Sequence, residues 1–416
     1  MADRIERRVA NGMVQGTCDA KFAGVLDAFI ANFERREEIG ASVCATLDGR
    51  TVVDLWGGLA DAKARTPWEE DTICVVFSCT KGATALTAHV AAARGLVDLD
   101  APASRYWPEF AAQGKEQVTL AQMLSHQAAV PVLRDKLPDG AVWNWDLMVE
   151  RLASEAPHWK PGTRNGYHGL TFGWVVGEPL RRASGSGLGA LFRELVGEPL
   201  DLDFWIGLPE RHEARVAPIV PFRPLPNAPR SPFIAAMLNE PASLPALFMF
   251  NQGGFWGSVN TRQCHAAEIG AANGITNGRG LARMYRPLAQ GDGNLVDRDG
   301  LARMGEIASA TGEDATLMIP TRFALGFMKS MDNRAWRRAR NLPDDEDSAL
   351  LPADAFGHVG AGGSIGFAAP ASGLSFGYAM NRQGPGLLLN PRGQALVDAA
   401  LAAVGYRSDA GGVWIA

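Results

Sequence analysis

Ser78 and Lys81 stand three residues apart in Phe77-Ser78-Cys79-Thr80-Lys81. On a helix that offset brings both side chains to one face. A hydroxyl and an amine so placed can exchange a proton, provided the amine is neutral. Val75-Val76-Phe77 and the Ala-rich stretch after the pair supply apolar surroundings, and burial lowers a lysine's pKa by penalising the ammonium. A helix start adds free N–H groups and the positive end of the helix dipole, which favour an alkoxide on Ser78. Of the seven lysines only Lys81 has a serine three positions earlier. At average serine usage, seven lysines would give such a hit by chance roughly a third of the time. Its position, opening a buried helix after an apolar run, is what raises it.

The nucleophile-elbow pattern GxSxG occurs twice, as Gly362-Gly363-Ser364-Ile365-Gly366 and Gly373-Leu374-Ser375-Phe376-Gly377. In an α/β-hydrolase the acid and the histidine follow the nucleophile along the chain. All seven histidines here, at 89, 126, 158, 168, 212, 265 and 358, precede both serines. Both patterns also lie in a glycine-spaced strand hairpin instead of a strand-to-helix turn. They read as backbone geometry.

The elements that must position Ser78 are legible around it. Phe22, Val25, Leu26, Phe29, Ile30 and Phe33 recur at helical spacing over residues 19–36. A β-hairpin is expected over 41–47 and 51–56, turning at Asp48-Gly49, and a buried helix over 79–94 with Gly95 as its C-cap. From about 118 to 320 helical stretches alternate with Pro- and Gly-rich loops, among them Ile219 to Pro226. Strand signals return at 364–369 and 374–380, and a closing helix with Pro391 in its first turn runs to Val404. Strands at both ends with a helical middle imply one sheet built from both termini and a helical domain inserted between. The expected boundaries are 1–95 with 320–416 for the sheet domain and 96–319 for the mainly helical one, which carries the loops of the substrate pocket.

Bulk properties fit an ordinary globular protein of 416 residues with a sizeable core, 47% of its residues being hydrophobic and 20% charged. A net charge of −5 argues against a nucleic-acid partner or an anionic membrane. The run Arg337-Arg338-Ala339-Arg340 is followed by Asp344-Asp345-Glu346-Asp347 and reads as a mutually neutralising loop. Five cysteines, at 18, 44, 74, 79 and 264, show no metal-ligand spacing, so neither metal nor cofactor is expected. Cys74 and Cys79 read as small core residues. No apolar run of about 18 residues exists to span a membrane. Acidic residues near the N-terminus argue against a secretory signal, so the expected compartment is the cytoplasm.

Nine segments in order resemble the penicillin-recognising serine hydrolases, within them the family VIII carboxylesterases that share the class C β-lactamase fold. They are Val53 to Gly58, Ser78 to Lys81, Arg94 to Asp100, Tyr106 to Phe110, Met123 to His126, Trp159 to Gly162, Gly166 to His168, Ala272 to Gly274 and Gly357 to Gly360. The resemblance implies an α+β fold of the β-lactamase/transpeptidase type, its antiparallel sheet flanked by helices. It implies a second motif at Tyr167, which would relay a proton between Ser78, Lys81 and the leaving alcohol. It also implies an oxyanion hole from the backbone N–H groups of Ser78 and Ala361. Ser125-His126 matches the family's short motif and is expected to cap or pack.

Two places depart from the lactamases. Gly169 stands where they have Asn, and His358-Val359-Gly360 stands where they have Lys-Thr-Gly. Both departures point away from β-lactams and towards a small-molecule ester, with His358 and Gly360 as substrate-binding positions. Glycines at 360, 362 and 363 suit a strand that a ligand's carbonyl approaches closely. Phe222, Phe248, Phe250, Phe255 and Trp256 are candidates for the pocket wall, with Phe255 and Trp256 foremost. The expected reaction is hydrolysis of short-chain carboxylic esters through an acyl-enzyme on Ser78. The alternatives are a β-lactamase, a D-amino-acid peptidase or an acyltransferase of the same fold, or a non-catalytic binding protein. The sequence leaves the oligomeric state open.

Overall fold

The computed structural model describes residues 3–408 and 414–415. Strands β1 (Asp3–Val9) and β2 (Gly12–Cys18) form a hairpin. Helix α1 (Ala23–Arg35) follows, then β3 (Gly40–Leu47) and β4 (Arg50–Asp61). Helix α2 is Cys79–Ala93, α3 is Thr171–Ser184, α4 is Pro232–Asn239, α5 is Leu244–Phe250 and α6 is Gly278–Gln290. The chain closes with β5 (Phe356–Val359), β6 (Ile365–Ala369), β7 (Leu374–Met380) and α7 (Pro391–Ala403). The fold is α+β.

The sheet runs β1-β2-β4-β3-β7-β6-β5 with every neighbour antiparallel. N- and C-terminal strands meet at β3–β7, where Val43 pairs with Tyr378. One face packs on α1 and α7, burying Val25, Phe29, Phe33, Leu396, Val397 and Leu401 against strand residues such as Val43 and Phe376. The other face carries α6. Its Asn277 cap accepts from the Gly280 N–H at 3.0 Å, and the Gly278 N–H donates to Ser42 Oγ on β3 at 2.9 Å. Gly377 on β7 is what lets α6 lie so close, since a β-carbon there would stand 2.6 Å from Ala282 N. Beyond α6 the helical residues share a core with α2, whose side chains are buried from Cys79 to Ala91.

Two features differ from the sequence reading. The hairpin β1–β2 has no counterpart there, because Asp3-Arg4-Ile5-Glu6-Arg7-Arg8-Val9 buries only Ile5 and Val9. Charges dominate it as they do many edge strands, where they discourage pairing with another chain. Helix α6 lies within 96–319 yet packs across β3, β6 and β7, so that stretch is not wholly helical domain. Leu281, Met284 and Leu288 on α6 are buried. The sheet face they cover would otherwise be wet.

Candidate active site

Ser78 is the N-cap of α2 and is reached through a constrained turn. Phe77 has φ +45°, a left-handed conformation that costs a non-glycine residue about 1–3 kcal/mol. The Thr80 hydroxyl helps hold it, donating to Phe77 O at 2.5 Å while accepting from the Gly274 N–H at 2.8 Å. The turn leaves Ser78 half-buried at the mouth of an otherwise buried helix.

Lys81 is fully buried. Its Nζ donates to Ser78 Oγ at 3.0 Å and to Ala271 O at 2.9 Å. It lies 4.8 Å from the ring centre of Tyr167 and 5.7 Å from that of Phe172. Among the described residues no carboxylate pairs with it. Burial therefore pushes its pKa well below the ordinary lysine value.

Tyr167 lies beside the pair, its ring centre 4.8 Å from Lys81 Nζ and its hydroxyl on the side of Ser78. Burial raises the phenol's pKa, and the nearby Ser78 hydroxyl opposes this only in part. The ring packs against His126 (4.7 Å), Phe323 (5.9 Å) and Phe248 (6.3 Å). Its backbone is held by the buried Asp314, whose two oxygens accept from the Tyr167 N–H at 3.0 and 3.1 Å. The same carboxylate also accepts from the N–H groups of Thr316 and Leu317, each at 2.9 Å. Thr321 Oγ1 and Asn165 Nδ2 add bonds of 3.2 and 3.3 Å. Asp314 thus ties the Tyr167 loop to a turn 147 residues away in sequence.

The neighbouring histidines are neutral spacers. His168 donates from Nδ1 to Gly166 O at 2.8 Å and accepts at Nε2 from the Val130 N–H at 3.2 Å. That fixes its tautomer, and burial draws its pKa down to about 3. His126, with φ +62°, accepts at Nδ1 from the His168 N–H at 3.1 Å. Ser125 beside it caps a helix end, donating to Ala121 O at 2.7 Å.

The remaining positions divide. His358 is buried 6.2 Å from the Tyr167 ring and donates from Nδ1 to Val359 O at 2.8 Å. Burial, with the nearby Lys81 charge, lowers its pKa to about 3. It is a neutral imidazole, not a cation in waiting. Gly360, Gly362 and Gly363 are each crowded by the chain itself, which is reason enough for glycine there. A β-carbon at Gly360 would run into Val76 O and Ser364 Oγ, and one at Gly362 would stand 2.7 Å from Gln383 Cα. One at Gly363 would stand 3.0 Å from Asn390 Cγ. The N–H groups of Ser78 and Ala361 have no acceptor among the described residues.

Of the five aromatic candidates, Trp256 lies beside the turn, its ring 5.8 Å from that of Phe77. Phe255 is fully buried behind it, edge-on at 5.3 Å. Phe222 and Phe250 are 42% and 67% exposed. Phe248 contacts Tyr167. Both GxSxG serines are buried in the sheet. Ser364 Oγ donates to Val76 O at 3.2 Å, and Ser375 Oγ donates to Ala282 O at 2.8 Å and bonds Thr46 at 2.7 Å. All five cysteines are free and buried.

Comparison with known proteins gives a consistent picture. The crystal structure of a family VIII carboxylesterase superposes with a TM-score of 0.80 at 37% identity, covering 94% of this chain and 99% of that one. A penicillin-binding protein homologue from Caulobacter crescentus matches with the same TM-score and coverage at 34% identity. The esterase/β-lactamase LipL of Mycobacterium tuberculosis is 35% identical over 388 residues, 90% of this chain and 84% of LipL. The β-lactamase family profile matches residues 25–401, and the chain belongs to that family.

Proposed function

We infer that the protein is a serine carboxylesterase that cleaves short-chain esters through an acyl-enzyme on Ser78. The observation that carries this reading is the buried Ser78–Lys81–Tyr167 group. Lys81 is placed to accept the Ser78 proton at 3.0 Å, and its burial favours the neutral amine such a base must be. Tyr167 is a protonated phenol at neutral pH, hence an acid. The two shifts run in opposite directions, which sorts base from acid.

Ser78 Oγ attacks the ester carbonyl as its proton passes to Lys81. The C–O bond to the alcohol breaks as that proton returns through Tyr167 to the leaving oxygen. The Ser78 and Ala361 N–H groups face no competing acceptor and suit the oxyanion. Water then attacks the acyl-enzyme with the same groups in reverse, releasing the acid and restoring Ser78. The named activities of the carboxylesterase and of LipL support an ester as substrate. Trp256 packs on Phe77, next to Ser78 in sequence, and Phe248 packs on Tyr167. His358 is neutral and buried, so it gives a substrate carboxylate no permanent cation, which favours a neutral ester over a β-lactam.

A fluorophosphonate probe and p-nitrophenyl butyrate test this together. Wild type should gain one probe adduct on Ser78, and Ser78→Ala should lose both the adduct and about 10⁴-fold or more of kcat. Labelling and turnover that persist in Ser78→Ala but vanish in a folded Ser364→Ala would refute the reading.

A further inference from the structure

The glycine at 169 is matched by a ring from another part of the chain. A β-carbon built on Gly169 would stand 2.9 Å from Cδ2 and 3.0 Å from Cζ of Phe248, and closer still to Cε2. Those distances leave no room for any side chain at 169. The Phe248 ring touches Tyr167 on the same side and meets Phe233 of α4 edge-on at 5.9 Å.

The ring's position is fixed from its own helix. Ser243 caps α5 by accepting from the Ala246 N–H at 3.2 Å, and Pro245 occupies the first turn. At the other end Asn251 accepts from the Leu137 N–H at 2.8 Å and donates to Leu133 O and Asp135 O at 2.8 and 2.9 Å. The Gln252 side chain donates to Phe248 O. Phe248 itself remains half-buried, so part of the ring is left without protein cover.

We propose that Phe248 is the specificity-determining residue for the acyl group, its ring closing the space beside Gly169 and Tyr167 to all but short chains. This rests on the acyl-enzyme reading of Ser78. The ring offers hydrocarbon and no hydrogen bond, so an acyl group is sorted there by length and not by polar substituents. The groups around the ring are themselves apolar, Tyr167 at 6.3 Å and Phe233 at 5.9 Å between ring centres, so trimming the ring enlarges a space bordered by hydrocarbon.

The test is kcat/KM for p-nitrophenyl acetate, butyrate and octanoate on wild type, Phe248→Leu and Phe248→Ala. The octanoate-to-acetate ratio should rise at least about tenfold in Phe248→Ala, the scale of a few methylenes in an apolar pocket, with Phe248→Leu between. A ratio unchanged in both variants overturns the proposal. Gly169→Ala should lower activity in wild type and be relieved in the Phe248→Ala background, whereas equal losses in both backgrounds deny the contact. Fluorophosphonate labelling of each variant separates the two ideas. An active variant that is not labelled at Ser78 strikes the acyl-enzyme reading, and an unchanged ratio in labelled enzyme strikes Phe248 alone.

Discussion

Two lysines of this protein are completely buried, and their surroundings differ. Lys115 Nζ donates to three backbone carbonyls, Ala112 at 2.8 Å, Ala153 at 3.1 Å and Glu155 at 2.6 Å. Lys81 Nζ has one carbonyl, Ala271, and a hydroxyl, Ser78. Three acceptors match the three donors of an ammonium. For Lys115 burial lowers the pKa to about 8, with the Glu155 charge opposing, so the cation persists at neutral pH. For Lys81 the value falls well below the ordinary one with no comparable support. Burial alone does not make a lysine a base. A nearby carboxylate and a full set of acceptors help a buried amine keep its proton, and among the described residues Lys81 has neither.

The comparison breaks most sharply on exchange of each lysine for methionine. Lys81→Met should lose at least about 10²-fold in kcat, the scale of a positioned proton-transfer group. Its melting temperature should hold or rise, because a poorly compensated amine leaves the core. Tyr167→Phe should lose a similar factor with the fold intact. Full activity in Lys81→Met, measured with p-nitrophenyl butyrate on folded protein, would remove the base from the mechanism. Lys115→Met should do the reverse. It strands three buried carbonyls, and each buried polar group left unpaired costs about 1–3 kcal/mol, while kcat below the melting range stays near wild type. Denaturant midpoints for the two variants check this, and a Lys115→Met that is as stable as wild type would refute the structural reading of that cation.

Much of this was legible in the sequence wherever a local pattern carried it. The apolar runs Ala41–Leu47 and Leu374–Met380 are strands paired in the sheet, and the Ala-rich stretch after Ser78 is α2. The three-residue offset of Ser78 and Lys81 holds because α2 begins at that serine. Features made by distant segments were not legible. Asp314 reaches Tyr167 only because the 314–321 turn folds over it, and nothing near Asp314 in sequence marks that. The match between Gly169 and Phe248 is of the same kind. The helicity of α6 could be read from Leu281, Met284 and Leu288, but its seat on the sheet depends on Gly377 of β7, far along the chain. The crowding of the glycines at 360, 362 and 363 by Val76, Gln383 and Asn390 was not legible either, because close approach by a neighbouring chain segment and by a ligand leave the same mark in a sequence.

The smallest expected effect is a difference in how the two lysines couple stability to pH. A lysine whose folded pKa is depressed binds fewer protons folded than unfolded, so stability rises with pH between the folded value and the unfolded one. For Lys115 that window runs from about 8 to the ordinary 10.5. For Lys81, whose pKa burial lowers well below the ordinary value with no carboxylate among the described residues opposing, it opens at lower pH. Melting curves of wild type minus Lys81→Met should therefore begin to converge at lower pH, while wild type minus Lys115→Met changes only in the alkaline range. The same titration should appear in catalysis. Lys81 must be neutral to take the Ser78 proton, so kcat/KM should fall on the acid side as one proton binds. His358 and His168, held near pKa 3 by burial, stay neutral throughout and add no second limb near pH 6.5. If the stability difference for Lys81→Met and the acid limb of kcat/KM report different pKa values, after allowance for substrate binding, then the group that limits the rate is not the lysine beside Ser78.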